Sequence, residues 1–411
     1  MEVREIELRG HIIDSLILPR VFDTIMDMGG DFEVLSFRIG KRRTDPSYAR
    51  ILVKAESREK LDEILGELHR MGATVPEVEE ARLEPAPADR VLPEGFYSTT
   101  NHPTYVLLDG EWVEVEDIEM DTAIVVEPHR RRARCKPISE IRKGELVVVG
   151  QSGIRVVPPE RPREASIFEF MRSSVSSEKP VAAIISKVAE AILEVKAQGG
   201  KVLAVAGPAV VHTSAASALA WMIRQGYVDV LYAGNALAVH DIEAQLFHTS
   251  LGMDVETGKP SEGGHRNHLY AINEVMRAGG IAGLVRSGRL KGGIMYEVVR
   301  RGIPYVLAGS IRDDGPLPEV ITDVLEAQRE MRRHLRGVKL VLMLCTMLHS
   351  IAVGNLLPSC VRTICVDINP ATVTKLTDRG TAQAMGIVSD VGVFLPMLVE
   401  ELRRRSAGSS N

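Results

Sequence analysis

Along the first seventy-odd residues, hydrophobic positions switch between two periods. VREIELRGHII (3–13) alternates as a strand, and 18–30 then carries Val21, Phe22, Ile25 and Met28 at helical spacing before stopping at Gly29–Gly30. FEVLSFRIG (32–40) and YARILVKAE (48–56) alternate as an antiparallel pair, and a second helix opens with Ser57 as its N-cap. This β-α-β-β-α order predicts a ferredoxin-like α+β module over 1–84. A proline-rich stretch at 84–95 reads as a linker. From 96 to 157 the strands shorten and turns multiply, which predicts a small β domain. It contains a type I′ hairpin at Asp109–Gly110 and a second hairpin-like unit around 150–153. PPERPRE (158–164) marks another boundary. Beyond it, six apolar strands alternate with helices, at 201–207, 228–234, 304–310, 339–345, 362–368 and 384–390. Continuous β-branched runs separated by crossover-length helices predict a parallel sheet buried on both faces, forming an α/β domain over 165–411.

Composition narrows the class. The 411 residues are 45% hydrophobic and 26% charged, with a formal charge of −5, so nothing global favours nucleic acid or an anionic membrane. The apolar run at 338–358 includes His349 and Asn355 and reads as a buried strand followed by a helix. Charges interrupt the N-terminal apolar stretch, which therefore does not read as a signal peptide. Cys135, Cys345, Cys360 and Cys365 lack zinc-ligand spacing and suit a reducing compartment; a cytoplasmic protein is expected.

In open parallel sheets, ligands bind at the carboxyl ends of the strands. That rule gathers Gly234-Asn235-Ala236, Ser310–Gly315, Thr346–His349, Val366-Asp367 and Ser389-Asp390-Val391 at one edge. Asp367 closes a strand 21 residues after Thr346, itself at a strand-to-helix junction. An acid about 20 residues beyond a first phosphate turn accepts from ribose hydroxyls, and its charge favours NAD over NADP. The glycine fingerprint is missing, and Asp367 equally suits a cap for the helix starting at Pro370.

Other polar residues carry two readings each. His240, Asp241 and Glu243 are dense for a moderately apolar helix, although a capped surface helix has the same look. His265 and His268 have the spacing of a shared helix face, yet no ligand-spaced acid or cysteine accompanies them, which favours a solvated loop over a metal site. Asp313-Asp314-Gly315 suits a ribose, an amine or an Asx turn. FYSTTNHPT (96–104) is more polar than folding requires. Cys135, between Arg134 and Lys136, reads as an edge-strand cysteine before it reads as a nucleophile. Lys196 and Lys201 read as solvent-facing.

The runs GFYSTTNHPTYV, FEFMRSSVSSEKP, YAGNALAVHDIE, GSIRDDGPLPEV and CVDINPATVTKLTDRGTAQAMGIVSDVGVFLP resemble the family of the LOR/SDH bifunctional enzyme conserved region, across essentially the whole chain. That family includes archaeal ornithine cyclodeaminases and the C-terminal part of cyanobacterial arginine-degrading enzymes. The resemblance implies conversion of ornithine to proline and ammonia on bound NAD by a homo-oligomer. It also implies a Rossmann-like domain similar to that of deoxyhypusine synthase. NAD contacts would then fall on Asn235, Ala236, Asp314, Thr346, Met347, Leu348, His349, Asp367, Asp390 and Val391. For proton transfer the candidates are His240, Asp241 and His102; for the substrate they are Asn101, with Arg155 or Arg172 pairing the carboxylate. No metal is expected. An NAD-dependent amino-acid dehydrogenase and a non-catalytic NAD- or amino-acid-responsive regulator share these motifs.

Overall fold

The computed structural model describes residues 2–408 except 14, 42–44, 75–78, 128, 130, 158–180, 214, 255–258, 260, 262–263 and 379–383. Contacts divide the chain into two units, Met1–Phe170 with Asn355–Cys360, and the remainder. Patterning alone would leave 355–360 inside the C-terminal domain. Arg172 lies outside the described residues.

The first unit opens with β1 (Glu2–Gly10), α1 (Ile17–Asp27), β2 (Asp31–Arg38), β3 (Ser47–Ala55) and α2 (Arg58–Arg70). The antiparallel sheet has the order β1-β3-β2. Alternate residues of β3 are buried, and Ile51 and Val53 share a core with Ile6, Leu8, Ile25, Ile64 and Leu68. Ser57 accepts from the Lys60 amide at 3.2 Å, closing the start of α2 as its position predicts.

A seven-stranded sheet follows: β4 (Arg82–Pro85), β5 (Thr104–Leu108), β6 (Glu111–Glu116), β7 (Ala123–Glu127), β8 (Arg132–Lys136), β9 (Leu146–Val149) and β10 (Ile154–Val156). Asp109 and Gly110 both have positive φ (51° and 77°), as a type I′ turn between β5 and β6 requires. The expected hairpin around 150–153 is absent from this part of the chain. β9 pairs with β4 and β7, whereas β10 pairs with β5, so Gly150–Gly153 links strands at different places in the sheet. The proline-rich stretch likewise begins inside a strand, because β4 needs only its unblocked groups to pair with β9.

The second unit contains α3 (Val181–Ala197), β11 (Lys201–Ala206), α4 (Ala209–His212), α5 (Ala216–Arg224), β12 (Val230–Gly234) and α6 (Asn235–Phe247). Next come β13 (Thr249–Ser250), β14 (Met253–Asp254), α7 (Asn267–Arg277), α8 (Ile281–Arg286), α9 (Ile294–Arg301), β15 (Tyr305–Ala308) and β16 (Val320–Ile321). The series ends with α10 (Val324–His334), β17 (Val338–Leu344), α11 (Met347–Leu356), β18 (Arg362–Asp367), α12 (Pro370–Asp378), β19 (Ala384–Val388) and α13 (Val391–Gly408). Every pairing in the sheet β16-β15-β12-β11-β17-β18-β19 is parallel. The six apolar runs supply six of its strands, and both faces are covered, as continuous rather than alternating burial of β11 and β17 requires. Strand order reverses between β11 and β17, which makes their carboxyl ends the switch point of the sheet. Lys196 is not simply solvated: its Nζ donates to both Asp229 oxygens (2.6 and 2.8 Å), and Asp229 accepts from the Val202 amide at the start of β11. Among the described residues no helix is long and apolar enough to cross a membrane.

Candidate active site

At the switch point, backbones approach closely. A Cβ on Gly207, just after β11, would lie 2.2 Å from the carbonyl oxygen of Cys345, just after β17. Cys345 itself adopts a left-handed conformation, φ 51°. On the neighbouring strand, a Cβ on Gly234 would come within 3.0 Å of His349 Cε1, so the α11 histidine packs directly over the end of β12. Burial holds His349 below its ordinary pKa, opposed by Asp313. Met347 and Leu348, in the same first turn, stay exposed.

Three further elements bring carboxylates and amides to this edge. Asp367 ends β18, and its Oδ1 accepts from the Asn369 amide at 2.8 Å. Asp390 Oδ1 accepts from Gly392 N at 2.7 Å ahead of α13, where Val391 is buried. Asn235 opens α6 and pins the loop after β15: its Nδ2 donates to Gly315 O (3.2 Å) and its Oδ1 accepts from Leu317 N (3.1 Å). Ala236, next in that turn, is exposed.

A histidine cluster lies on α4 and α6, which leave the same edge, and on α7. His240 Nδ1 is 2.8 Å from Glu243 Oε2 on α6. Glu243 is wholly buried, and its second oxygen accepts from Thr249 Oγ1 (2.9 Å), which accepts from Asn267 Nδ2 (2.9 Å). His212, at the end of α4, meets His240 edge to face with ring centroids 4.9 Å apart, and its Nδ1 lies 2.7 Å from Ser250 Oγ. Burial first, then the neighbouring His240, hold His212 down at about 4, against the pull of Glu243. His268 on α7 lies 6.3 Å from His240 between centroids, with its Nε2 3.6 Å from Asp314 Oδ2. It is therefore part of a side-chain cluster, not the solvated loop its sequence context favours.

Asp241 does something else. Its two oxygens accept from the amides of Ile294 (2.9 Å) and Met295 (2.8 Å), capping the start of α9 in a fully buried setting. Burial raises its carboxyl to about 6, opposed by those two amides. The structure thus gives Asp241 a structural task, and the carboxylate beside His240 is that of Glu243. Cys135 sits on an interior strand, and burial raises its thiol, which removes the basis for a nucleophile.

In the first unit, Asn101 is buried with Nδ2 unpartnered, while its carbonyl accepts from Ser359 N at 2.7 Å. His102 Nδ1 is also buried without a partner, and burial lowers this histidine to about 4. Arg155, on β10, is stacked between Tyr105 and Trp112. Sequence reasoning passed over His212, which follows the turn after β11. The same carboxyl-edge rule that selected Thr346–His349 reaches it, because α4 leaves the first strand of the sheet.

Comparison with known proteins divides the chain into three matched regions. Residues 3–102 match the LOR/SDH bifunctional enzyme conserved region. Residues 103–185 match the first C-terminal region of the arginine dihydrolase ArgZ-like family, and 186–398 its C-terminal Rossmann fold. The chain is 67% identical over 400 residues to an ornithine cyclodeaminase of Methanopyrus kandleri, covering 97% of each protein. It is similar, at 55% identity and a TM-score of 0.76, to the crystal structure of a putative LOR/SDH protein from Methanococcus maripaludis, covering 80% of this chain and all of that one. The ternary complex of the bifunctional AgrE of Nostoc sp. with ornithine and NAD+ matches at 44% identity and a TM-score of 0.55, covering 99% of this chain and 58% of AgrE.

Proposed function

The chain belongs to the family shared by archaeal ornithine cyclodeaminases and the C-terminal region of ArgZ-like proteins, and from that premise we propose that it converts L-ornithine to L-proline and ammonia with NAD as a recycled cofactor. The residues at the sheet edge suit that cofactor. Asp367 commits Oδ1 to its own turn and has Oδ2 for ribose hydroxyls. The first amides of α6, at Asn235 and Ala236, suit a pyrophosphate because helix starts leave amides without intrahelical partners. Met347, Leu348 and His349 offer an apolar wall, with Thr346, Asp390 and Val391 beside the switch point and Asp314 on the facing loop. When bound, NAD supplies a hydride acceptor and donor for the carbon that begins as Cα of ornithine.

The chain's own task is to move protons. Oxidation at Cα requires loss of a proton from the α-amine, giving an imine. Attack of the δ-amine on C2 and departure of ammonia require a proton moved from one nitrogen to the other. The His240–Glu243 pair carries this reading. Glu243 holds the proton of His240 on Nδ1, leaves Nε2 as the base, and stabilises the imidazolium that forms. His212, kept neutral by burial, is a second acceptor, and His268 with Asp314 offers a third site for an ammonium group. Asn101 and His102, with their unpartnered buried nitrogens, are the first unit's candidates for a polar ligand.

Proline and ammonia should form in equal amounts from ornithine, with no net growth of reduced-cofactor absorbance. Stoichiometric NADH would instead identify a dehydrogenase, and NAD binding without turnover a regulator. The four free thiols support a reducing, cytoplasmic setting. Val34, Leu35 and Phe37, exposed along the β2 edge, with Ile39 just beyond it, support a homo-oligomer, which sedimentation velocity would test.

A further inference from the structure

We propose that the first unit carries a second ligand site, a cationic cleft that binds a small dicarboxylate. The cleft encloses about 800 Å³ between the N-terminal sheet module and β10, and first-unit residues alone line it. None of them is assigned to the nucleotide. Its anchor is Arg155. The guanidinium carbon lies 4.7 Å from the Tyr105 ring centroid and 4.6 Å from that of Trp112, so the planar group is held between two aromatic faces. Its Nε is buried without a hydrogen-bond partner, and among the described residues no carboxylate pairs with it. A guanidinium fixed in orientation and deprived of an acid is prepared for a planar, bidentate anion.

Charge around the cleft sets the ligand class. Arg9, Arg38 and Lys41 line it together with Arg155, against only Glu7 and Asp45. Glu7 is already engaged, accepting from the Tyr48 hydroxyl at 2.7 Å, an interaction that raises the Tyr48 pKa. The balance of four permanent cations over two acids calls for a ligand with two negative groups. Arg155 takes one carboxylate, and Arg9, Arg38 and Lys41 surround the other. This assignment moves Arg155 away from the ornithine carboxylate.

Isothermal titration calorimetry of the full chain, with NAD bound and no ornithine present, tests the site using succinate, L-glutamate and inorganic phosphate as probes. Ornithine is added afterwards as a competitor. Succinate or glutamate should bind at millimolar concentration or below, and phosphate at least tenfold more weakly. Arg155→Gln should weaken dicarboxylate binding at least tenfold while NAD affinity stays within twofold. Should that variant fail to fold, Arg9→Gln with Lys41→Gln, both exposed, should weaken binding severalfold. Absence of dicarboxylate heat, equal affinity for phosphate, unchanged affinity in the variants, or displacement of succinate by ornithine would each overturn the proposal.

Discussion

His240 Nδ1 lies 2.8 Å from Oε2 of Glu243, one turn further along α6, and the carboxylate has no exposure to solvent. A buried carboxylate needs partners for both oxygens. The second oxygen takes the Thr249 hydroxyl, which the Asn267 amide orients in turn. Glu243 thus has partners from α6 and β13, and Asn267 of α7 stands behind the second of them. These partners hold the carboxylate in place, and its contact with Nδ1 orients the ring of His240.

Replacing this carboxylate by its isosteric amide separates charge from shape. Glu243→Gln should lower kcat by roughly 10²-fold or more, the range expected when a general base loses its support. NAD affinity and melting temperature should change little, because Gln can still bond both His240 and Thr249. Steady-state proline formation, with NAD affinity followed by fluorescence, measures the split. An unchanged kcat would remove the pair from the reaction.

Asp367→Ala should weaken NAD binding at least tenfold, since charge-assisted hydrogen bonds contribute about 1.5–3 kcal/mol each. Asp367→Ser should in addition bind NADP better than the wild type, because the repulsion of a 2′-phosphate disappears. Fluorescence titration with both nucleotides decides it. Full NAD affinity in a folded Asp367→Ala chain would reduce Asp367 to the cap of its own turn, a bond it does make with Asn369.

Much of the second unit was legible because its strands are buried on both faces, and continuous runs such as those of β11 and β17 admit few other readings. The carboxyl-edge rule then located Asp367 and Thr346–His349 without a glycine fingerprint. Side-chain choice was less accessible. Asp241 and Glu243 are two residues apart on one helix, and spacing alone does not say which reaches His240 and which turns to cap α9. His212 and His268 come from segments far apart in sequence, and only the fold brings both to His240. The misjudged hairpin at 150–153 has a similar origin: a turn fixes local direction but not which strands become neighbours.

Gly207→Ala tests the close approach at the switch point. The added methyl would meet a backbone oxygen, that of Cys345, at 2.2 Å, and backbone cannot swing aside as a side chain can. Overpacking of this kind costs about 1–3 kcal/mol. A lower melting temperature with weakened NAD binding is expected. Wild-type behaviour in calorimetry and nucleotide titration would show that the two chain segments have room to separate.

Acid should destabilise the fold before its carboxylates titrate. Burial holds His69, His102 and His212 at about 4, below the ordinary 6.5. Between those values the unfolded chain binds more protons, so stability is lost as pH falls from about 6.5 towards about 4. Asp241, raised to about 6, acts in the opposite sense, gaining a proton in the folded state first, but it stands alone against three histidines. The urea midpoint should therefore drop between about pH 7 and about pH 5, and His69→Gln should reduce that drop. A midpoint independent of pH across this window would contradict the burial of these rings.

Isotope retention tests the reaction at the atom where it begins. With ornithine deuterated at Cα, internal redox requires the label to leave Cα and return to C2 of the same carbon skeleton. A cofactor held throughout the cycle should therefore give proline that keeps most of its deuterium, even in a pool of unlabelled NADH. In the proposed scheme His240 and His212 carry only nitrogen-bound protons, which exchange with solvent, and none of those ends on C2. A base that removed Cα–H as a proton would instead wash the label into water. A dehydrogenase would release it in free NADH. Mass spectrometry of the proline separates these outcomes, and unlabelled proline would sink the recycled-cofactor reading even with ammonia and proline formed in equal amounts.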